Sequence, residues 1–563
     1  MNGPTPEMLA RIATQMFNEL ESATGTASPP TSLQNLLPGM SGIPTDFGSL
    51  PRPDMAMPGA PDVVTPAVAA NSGSPGAHGT LPGAYGVLPG VTGASPGAHA
   101  GVPQIANSSL GPSEGARAFA DRVRGERFRS PTELMAGIPV AGADARPIAG
   151  FSVPLSGSRA LDVPAIRRDF PILQQRIHGK PLAWLDNAAT TQKPQCVIDS
   201  LSRFYSQDNS NIHRGAHTLA ARATDAFEDA RKKVQTFLGA STVNEIVFVR
   251  GTTEGINLVA QTYGRKFLQP GDEIILSILE HHANIVPWQM MAQEKGAVIR
   301  VIPVNDRGEV MLEQYEALLG PRTKLVGLAH ASNALGTILP VAEMTQMAKR
   351  YGARVLIDGA QSVAHTPINL QQLNADFFVF SGHKIFGPTG IGAVYAKQEL
   401  LEIMPPWQGG GNMIRNVTFE QTTYADPPAK FEAGTPTVAD AVGLGAALDY
   451  VTWLGLPNIA KYEHDLAEYA TERLVRIPGL RLIGTAREKV GVLSFVLANR
   501  KTEEVGRMLD QEGIAVRAGH HCAQPSLRRF GVESTVRPSL AFYNTPEEID
   551  RLVDAVRRIA TEV

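Results

Sequence analysis

From about residue 160 onward, short apolar runs alternate with amphipathic stretches, and that alternation leaves few architectures open. The runs are EIVFVR (245–250), DEIILSI (272–278), AVIRVIPV (297–304), TKLVGLAH (323–330), RVLIDGA (354–360) and DFFVFSG (376–382). Each has the length and β-branched or aromatic content of a strand. Helical stretches such as PVAEMTQMAKRYG (340–352) separate several of them. A helix between two strands carries the chain back to begin a parallel neighbour, so the pattern predicts βαβ units around a mostly parallel sheet. After about residue 430 a long helical region (437–475) precedes a smaller mixed unit that ends in the helix TPEEIDRLVDAVRRIATEV. The expectation is a large α/β domain over 160–430 and a smaller C-terminal α+β domain over 431–563, with part of the 160–185 segment belonging to the smaller one.

The first 150 residues obey different physics. They hold 21 Gly and 20 Pro, against 33 and 22 in the remaining 413, and the first lysine is Lys180. A degenerate repeat runs through SPGAHG (74–79), LPGAYG (81–86), LPGVTG (88–93) and SPGAHA (95–100). Pro-Gly pairs break helices and favour turns. Few large apolar side chains offset the entropy of ordering. Residues 1–155 are therefore expected to be a disordered extension with short helical islands, at TPEMLARIATQMFNELES, TSLQNLLPGM (31–40) and SEGARAFADRVRGERF (113–128). Read functionally, those apolar islands suit a groove on a partner.

FFVFSGHKIFGPTGIGAVY (377–395) ends an apolar run at Ser381-Gly382-His383-Lys384. A lysine after a strand, flanked by small residues, can point into a cleft and condense with an aldehyde. On SGHK alone a surface lysine in a turn is an equal reading. Upstream, VLIDGAQS (355–362) places Asp358 at another strand end, with Gln361 three residues on. Pyridoxal phosphate needs a carboxylate beside its ring nitrogen, so that the ring acts as an electron sink. Asp358 fits that need, and Gln361 fits the ring's phenolic oxygen. In VRGTTEGINLVAQ (249–261) a strand, the turn Gly251-Thr252-Thr253 and a helix start offer backbone amides to an anion. Ser381 and His383 can add contacts. LEHHANIVPWQ (279–289) offers His281 to stack on the ring.

RAGHHCAQP (517–525) contains Cys522, one of two cysteines; the other is Cys196. Alone, the loop leaves Cys522 open as a metal ligand, hydrolytic nucleophile, redox partner, sulfur carrier or packing residue. Two cysteines make no disulfide framework, and zinc spacings such as CxxC are absent, so no metal is expected. A thiolate is favoured by cationic neighbours, for which Arg517, His520 and His521 are candidates.

Residues from about 160 to 563 resemble the SUF-type (type II) cysteine desulfurases, which are fold-type I pyridoxal-phosphate enzymes similar to class V aminotransferases. The resemblance is carried by WLDNAAT (184–190), NIHRGAHTLAARAT (211–224), VRGTTEGINLVA, EHHANIVPWQ, HASNALGTILP (330–340), LIDGAQS, FSGHKIFGPTGIG, FEAGTPT (431–437) and RAGHHCAQPSLRRFGVESTVRPSLAFYNT (517–545). It implies that Lys384 forms the Schiff base and moves the Cα proton. Asp358, Gln361 and His281 would hold the ring, with His281 also catalytic, and Thr252, Thr253, Ser381 and His383 the phosphate. Asn333 would lie near the phenolic oxygen and the substrate. Arg537, Arg517 and His213 would contact the substrate. Cys522 would take sulfur from L-cysteine as a persulfide and pass it to an acceptor protein or small thiol, leaving L-alanine. Family members are homodimers, with Gly434 and Thr435 reaching the partner's cofactor. Selenocysteine lyase shares the scaffold and is the alternative activity; an inactive scaffold that organises a shell is the alternative from another class. Pro538 stands where alanine is more usual.

The extension resembles those of cysteine desulfurases packaged in family 2 encapsulins, which implies a shell-loading role for residues 1–150 and, for the whole, sulfur mobilisation or storage. The formal net charge of −3 does not suggest a nucleic-acid partner. No apolar run is long enough to span a membrane, and the opening residues lack the pattern of a secretory signal. The expected location is a bacterial cytoplasm, inside an encapsulin compartment.

Overall fold

The six apolar runs become strands of one sheet. A computed structural model of the chain describes residues 160–562 apart from Arg214; the islands and repeat expected within 1–155 lie outside the described residues. The strands are β1 (Ile246–Val249), β2 (Glu273–Ser277), β3 (Val298–Ile302), β4 (Thr323–Ala329), β5 (Arg354–Asp358) and β6 (Phe377–Ser381), followed by β7 (Gly392–Ala396). Their order in space is β1-β7-β6-β5-β4-β2-β3. The five strands from β6 to β3 run parallel, and β7 is antiparallel to both of its neighbours. The mostly parallel sheet expected from the sequence is thus present, with one reversed strand.

Continuous apolar runs arise because both faces of this sheet are covered. Alternate residues go to separate cores. Ile246, Phe248, Phe378 and Phe380 face one cluster, while Val247, Val249, Phe377 and Val379 face the other. The longest helix among the described residues, α1 (Thr218–Leu238), buries Phe227, Val234 and Leu238 and stops at Gly239, whose φ is 70°. The short α2 (Thr252–Val259) follows β1 directly, and α3 (Val341–Arg350) joins β4 to β5.

The long helical region 437–475 is two helices, α4 (Val438–Leu454) and α5 (Leu456–Leu474), parted at Gly455 with φ 82°. A second, four-stranded antiparallel sheet follows, from β8 (Leu480–Leu482), β9 (Phe495–Leu497), β10 (Arg517–Gly519) and β11 (Thr535–Arg537), in the order β8-β9-β11-β10. The final helix α6 (Pro546–Thr561) opens with a capping box between Thr545 and Glu548, which satisfies two otherwise orphaned amides. Ala183–Trp184 pairs in parallel with Ile514–Ala515, so the chain just after residue 180 is stitched to the strand region that precedes Cys522.

Candidate active site

The carboxyl ends of parallel strands form a natural crevice, and three of them meet here. β5 ends in Asp358, β6 in Ser381 and β4 in Ala329. A cavity of about 300 Å³ opens there, lined by Thr252, Thr253, His281, Asn333, Asp358, Gln361, Ser381, His383, Lys384, Arg517, Cys522 and Arg537, with His521 and a set of alanines. Twelve residues singled out from scattered sequence blocks therefore share one wall-to-wall space.

Lys384 closes a single helical turn after β6. Burial, and to a lesser degree Arg537, lowers its ammonium to about 8, while Asp358 and Cys522 oppose that shift. A lysine nearer neutrality spends more time as the free amine that attacks carbonyls. Asp358 is 5% exposed and accepts the Ala360 N–H at 2.9 Å. Burial raises its carboxyl; the Ala360 amide and Lys384 pull the other way.

At the other end of the cavity, Gly251 precedes α2 with φ 154°. A Cβ there would sit 3.0 Å from Ser381 Oγ. The Thr252 N–H donates to Ser381 Oγ at 2.9 Å, and the two hydroxyls lie 2.9 Å apart. The His383 carbonyl accepts from the Thr190 and Thr191 hydroxyls at 3.0 and 3.1 Å. His383 itself is lowered to about 4 by burial, Lys384 and Lys193.

His281 Nδ1 accepts the Ala283 N–H at 3.0 Å, which leaves the proton of the neutral ring on Nε2. Burial first, then Lys384, His282 and Arg537, lower it to about 3. Gln361 Nε2 donates to the Ala188 carbonyl at 2.7 Å. Asn333 Nδ2 donates to the His521 carbonyl at 2.6 Å, while its Oδ1 is buried without a partner.

Cys522 is exposed. It and His521 both adopt left-handed backbone, with φ 54° and 53°, an uncommon pair for residues with side chains. Hydrogen bonds made by the Cys522 backbone hold the turn. The Cys522 N–H donates to His520 Nδ1 at 3.0 Å, and its carbonyl accepts the His282 N–H at 2.8 Å. His521 was a candidate cation for the thiolate; burial and Arg537 lower it to about 3, so it is neutral. The fixed cations at the cavity are Arg517 and Arg537.

Three expected residues lie outside the cavity lining. His213 contacts Asn412 Oδ1 at 3.3 Å and Glu228 Oε1 at 3.0 Å. Gly434 donates its N–H to Gly411 at 2.9 Å, and Thr435 beside it is exposed. Asn412 Nδ2 also bonds the Glu432 carbonyl at 2.9 Å, so His213 and Gly434 belong to one neighbourhood. Among the described residues, no group of three or more His, Cys, Asp or Glu side chains could hold a metal ion, and no helix is long and apolar enough to cross a membrane.

Residues 183–552 match the family model for aminotransferase class V. The chain belongs to that family. A family member from Mycolicibacterium paratuberculosis (strain ATCC BAA-968 / K-10), a "probable cysteine desulfurase", is 65% identical over 399 residues, 71% of this chain and 58% of its own length. The cysteine desulfurase of Synechococcus elongatus is 62% identical over 406 residues, 72% of this chain and 65% of its own. This chain therefore spans less than two thirds of the length of these two relatives. The crystal structure of the cysteine desulfurase CsdA of Escherichia coli, in an S-sulfonic acid form, matches with a TM-score of 0.66 and 42% identity, covering 71% of this chain and 98% of that one. The large mixed sheet and its companion α+β unit are the fold-type I arrangement of class V.

The lining suits pyridoxal phosphate. A buried carboxylate lies at a strand end, hydroxyls and a helix start lie where an anion is favoured, and a depressed lysine borders both. Orphaned Asn333 Oδ1 awaits a donor. The sequence reading passed over Asp186, in WLDNAAT, and Glu280, beside His281. Asp186 contacts both Arg517 and Arg537. Glu280 is fully buried, bonds Ser277 Oγ, the Ala329 N–H and Asn284, and is raised to about 7 by burial. The local signal for each is only an acidic residue directly after a leucine, at Leu185-Asp186 and Leu279-Glu280.

Proposed function

We propose that the protein is a pyridoxal-phosphate-dependent cysteine desulfurase of the SUF type. The observation that carries this reading is the meeting of Lys384, Asp358, Arg537 and Cys522 in one cavity. An aminotransferase has no use for the cysteine, and a cysteine hydrolase none for the buried Lys384–Asp358 pair.

When bound, the cofactor supplies an electron sink that stabilises negative charge at the substrate Cα. Thr252, Thr253, Ser381 and His383 would hold its phosphate, and Asp358, Gln361 and His281 its ring. Arg537 and Arg517 orient the carboxylate of L-cysteine. Lys384, with its lowered basicity, takes the Cα proton and returns one. The Cys522 thiolate attacks the substrate sulfur; the substrate C–S bond breaks as the S–S bond forms. L-Cysteine and Cys522 thiol thus become L-alanine and Cys522 persulfide, with no outside oxidant. An acceptor protein or small thiol removes the persulfide at the exposed face of Cys522.

In this reading the enzyme is a homodimer in which His213, Gly434 and Thr435 serve the partner's cavity, which is supported by their place outside the chain's own. Residues 160–430 and 431–563 act as large and small domains. The Pro/Gly-rich residues 1–150 load the enzyme into an encapsulin shell in a bacterial cytoplasm, a reading supported by their composition and apolar islands.

The test is alanine released from L-cysteine, with cofactor and reductant, by the intact chain and by Cys522→Ala. Release by the first and not the second is expected; equal release by both would sink the reading. Deleting residues 1–150 is expected to spare alanine release and abolish co-purification with a shell protein. Retained co-purification would remove the loading role.

A further inference from the structure

Arg517 and Arg537 stand directly opposite each other across the β10–β11 ladder. Like charges so placed on a sheet repel, and Arg537 is 2% exposed, so water screens it little. A carboxylate stands between them. Asp186 Oδ1 accepts from Arg537 Nη2 at 3.1 Å. Asp186 Oδ2 accepts from Arg517 Nε at 3.1 Å and lies 2.9 Å from its Nη2. Asp186 is itself 7% exposed. Arg537 Nη1 is committed to the Asn333 carbonyl at 2.9 Å, and its Nε is buried with no partner. Both guanidiniums border the cavity that holds Cys522. Two cations and one anion leave this wall with a single net positive charge.

We propose that Asp186 sets the charge selectivity of the cavity. By holding the wall at one net positive charge, it limits the pull of the two arginines on anions beside Cys522. The inference rests on the desulfurase reading only for which ligands are at stake. L-Cysteine presents one carboxylate to that wall. Asp186 touches no reacting atom in this account; it acts through the arginines.

The charge at Cys522 can be measured without any turnover. Cofactor-loaded protein is alkylated with iodoacetate, which is anionic, and with iodoacetamide, which is neutral. Modification at Cys522 is followed by peptide mass, which separates it from Cys196. Asp186→Asn is expected to raise the iodoacetate-to-iodoacetamide rate ratio about tenfold, the effect of one charge across a partly screened gap. Adding Arg517→Gln to that variant is expected to restore the original ratio, and Arg517→Gln alone to lower it by a similar factor. An unchanged ratio in Asp186→Asn, or a rise that survives removal of Arg517, overturns the proposal. If Asp186→Asn does not fold, Arg517→Gln alone decides, and a ratio that fails to fall overturns it. The expected pattern in a protein that releases no alanine from L-cysteine would sink the desulfurase reading and leave the role of Asp186 standing.

Discussion

The carbonyl of Cys522 accepts the backbone N–H of His282 at 2.8 Å. One hydrogen bond thus latches the thiol-bearing turn to the residue next to His281. His282 also accepts the Gln524 N–H at 3.2 Å through Nε2, so the turn is held at two points, at the cysteine and just after it. The first of these bonds runs from main chain to main chain and survives substitution of either side chain, whereas the second depends on the His282 ring.

Lys384→Ala is expected to abolish the visible absorbance near roughly 420 nm that the cofactor acquires on attachment to a lysine. The protein should remain folded, because the lowered Lys384 ammonium gains no net stabilisation from its surroundings. A band of unchanged position and intensity in purified Lys384→Ala would remove the lysine from its role.

His521 makes the stability of the fold depend on acid. In the folded protein it takes up a proton only near pH 3, whereas in the unfolded chain it does so near about 6.5. The unfolded state binds more protons throughout that window, so the His521 contribution to stability is intact above pH 6.5 and is lost as pH falls below it. In His521→Gln the stability lost between pH 7 and pH 5 should be smaller by about 2 kcal/mol. Urea unfolding at both pH values measures this, and parallel losses in the two proteins would contradict it.

Glu432 meets Arg231 through two bonds, at 2.7 and 3.0 Å, and also accepts the Phe248 N–H at 2.7 Å. Both side chains are buried. Removing one member of a buried pair costs about 3–5 kcal/mol when the other charge is left alone, but Arg231 keeps Glu228, whose Oε2 accepts from its Nε at 2.9 Å. Glu432→Ala should therefore show a loss of about 2–4 kcal/mol in chemical denaturation. A loss below about 1 kcal/mol, the scale of exposed pairs, would show that the pair is open to water.

Gly359 follows Asp358, and a Cβ there would overlap the Phe378 ring. Gly359→Ala should cost about 1–3 kcal/mol through overpacking and weaken cofactor retention by displacing Asp358. Wild-type thermal stability and cofactor content in the variant would show that the ring can yield.

The strands were legible because each is a short, continuous apolar run. EIVFVR and DFFVFSG announce themselves, and β1 and β6 lie inside them. The order in which strands pair was not legible, nor was the reversal of β7, since both depend on contacts between distant residues. The break at Gly455 hid inside a helical pattern that continues on either side. At the cavity, Lys384 and Asp358 were found because they end apolar runs beside small residues, and Cys522 because it is one of only two cysteines and follows two histidines. Asp186 was missed because its meaning lies in Arg517 and Arg537, which no local window contains.

That separation also sets a schedule. Asp186 and its partner Arg537 lie 351 positions apart along the chain. A ribosome working at about 5–20 residues per second needs on the order of 20–70 s to travel between them. Throughout that interval the nascent chain carries the acidic half of the cavity wall without the basic half. The cavity is therefore among the last parts of the molecule to be completed, and a truncated translation product that stops short of Arg537 holds the large sheet but no finished wall for a substrate.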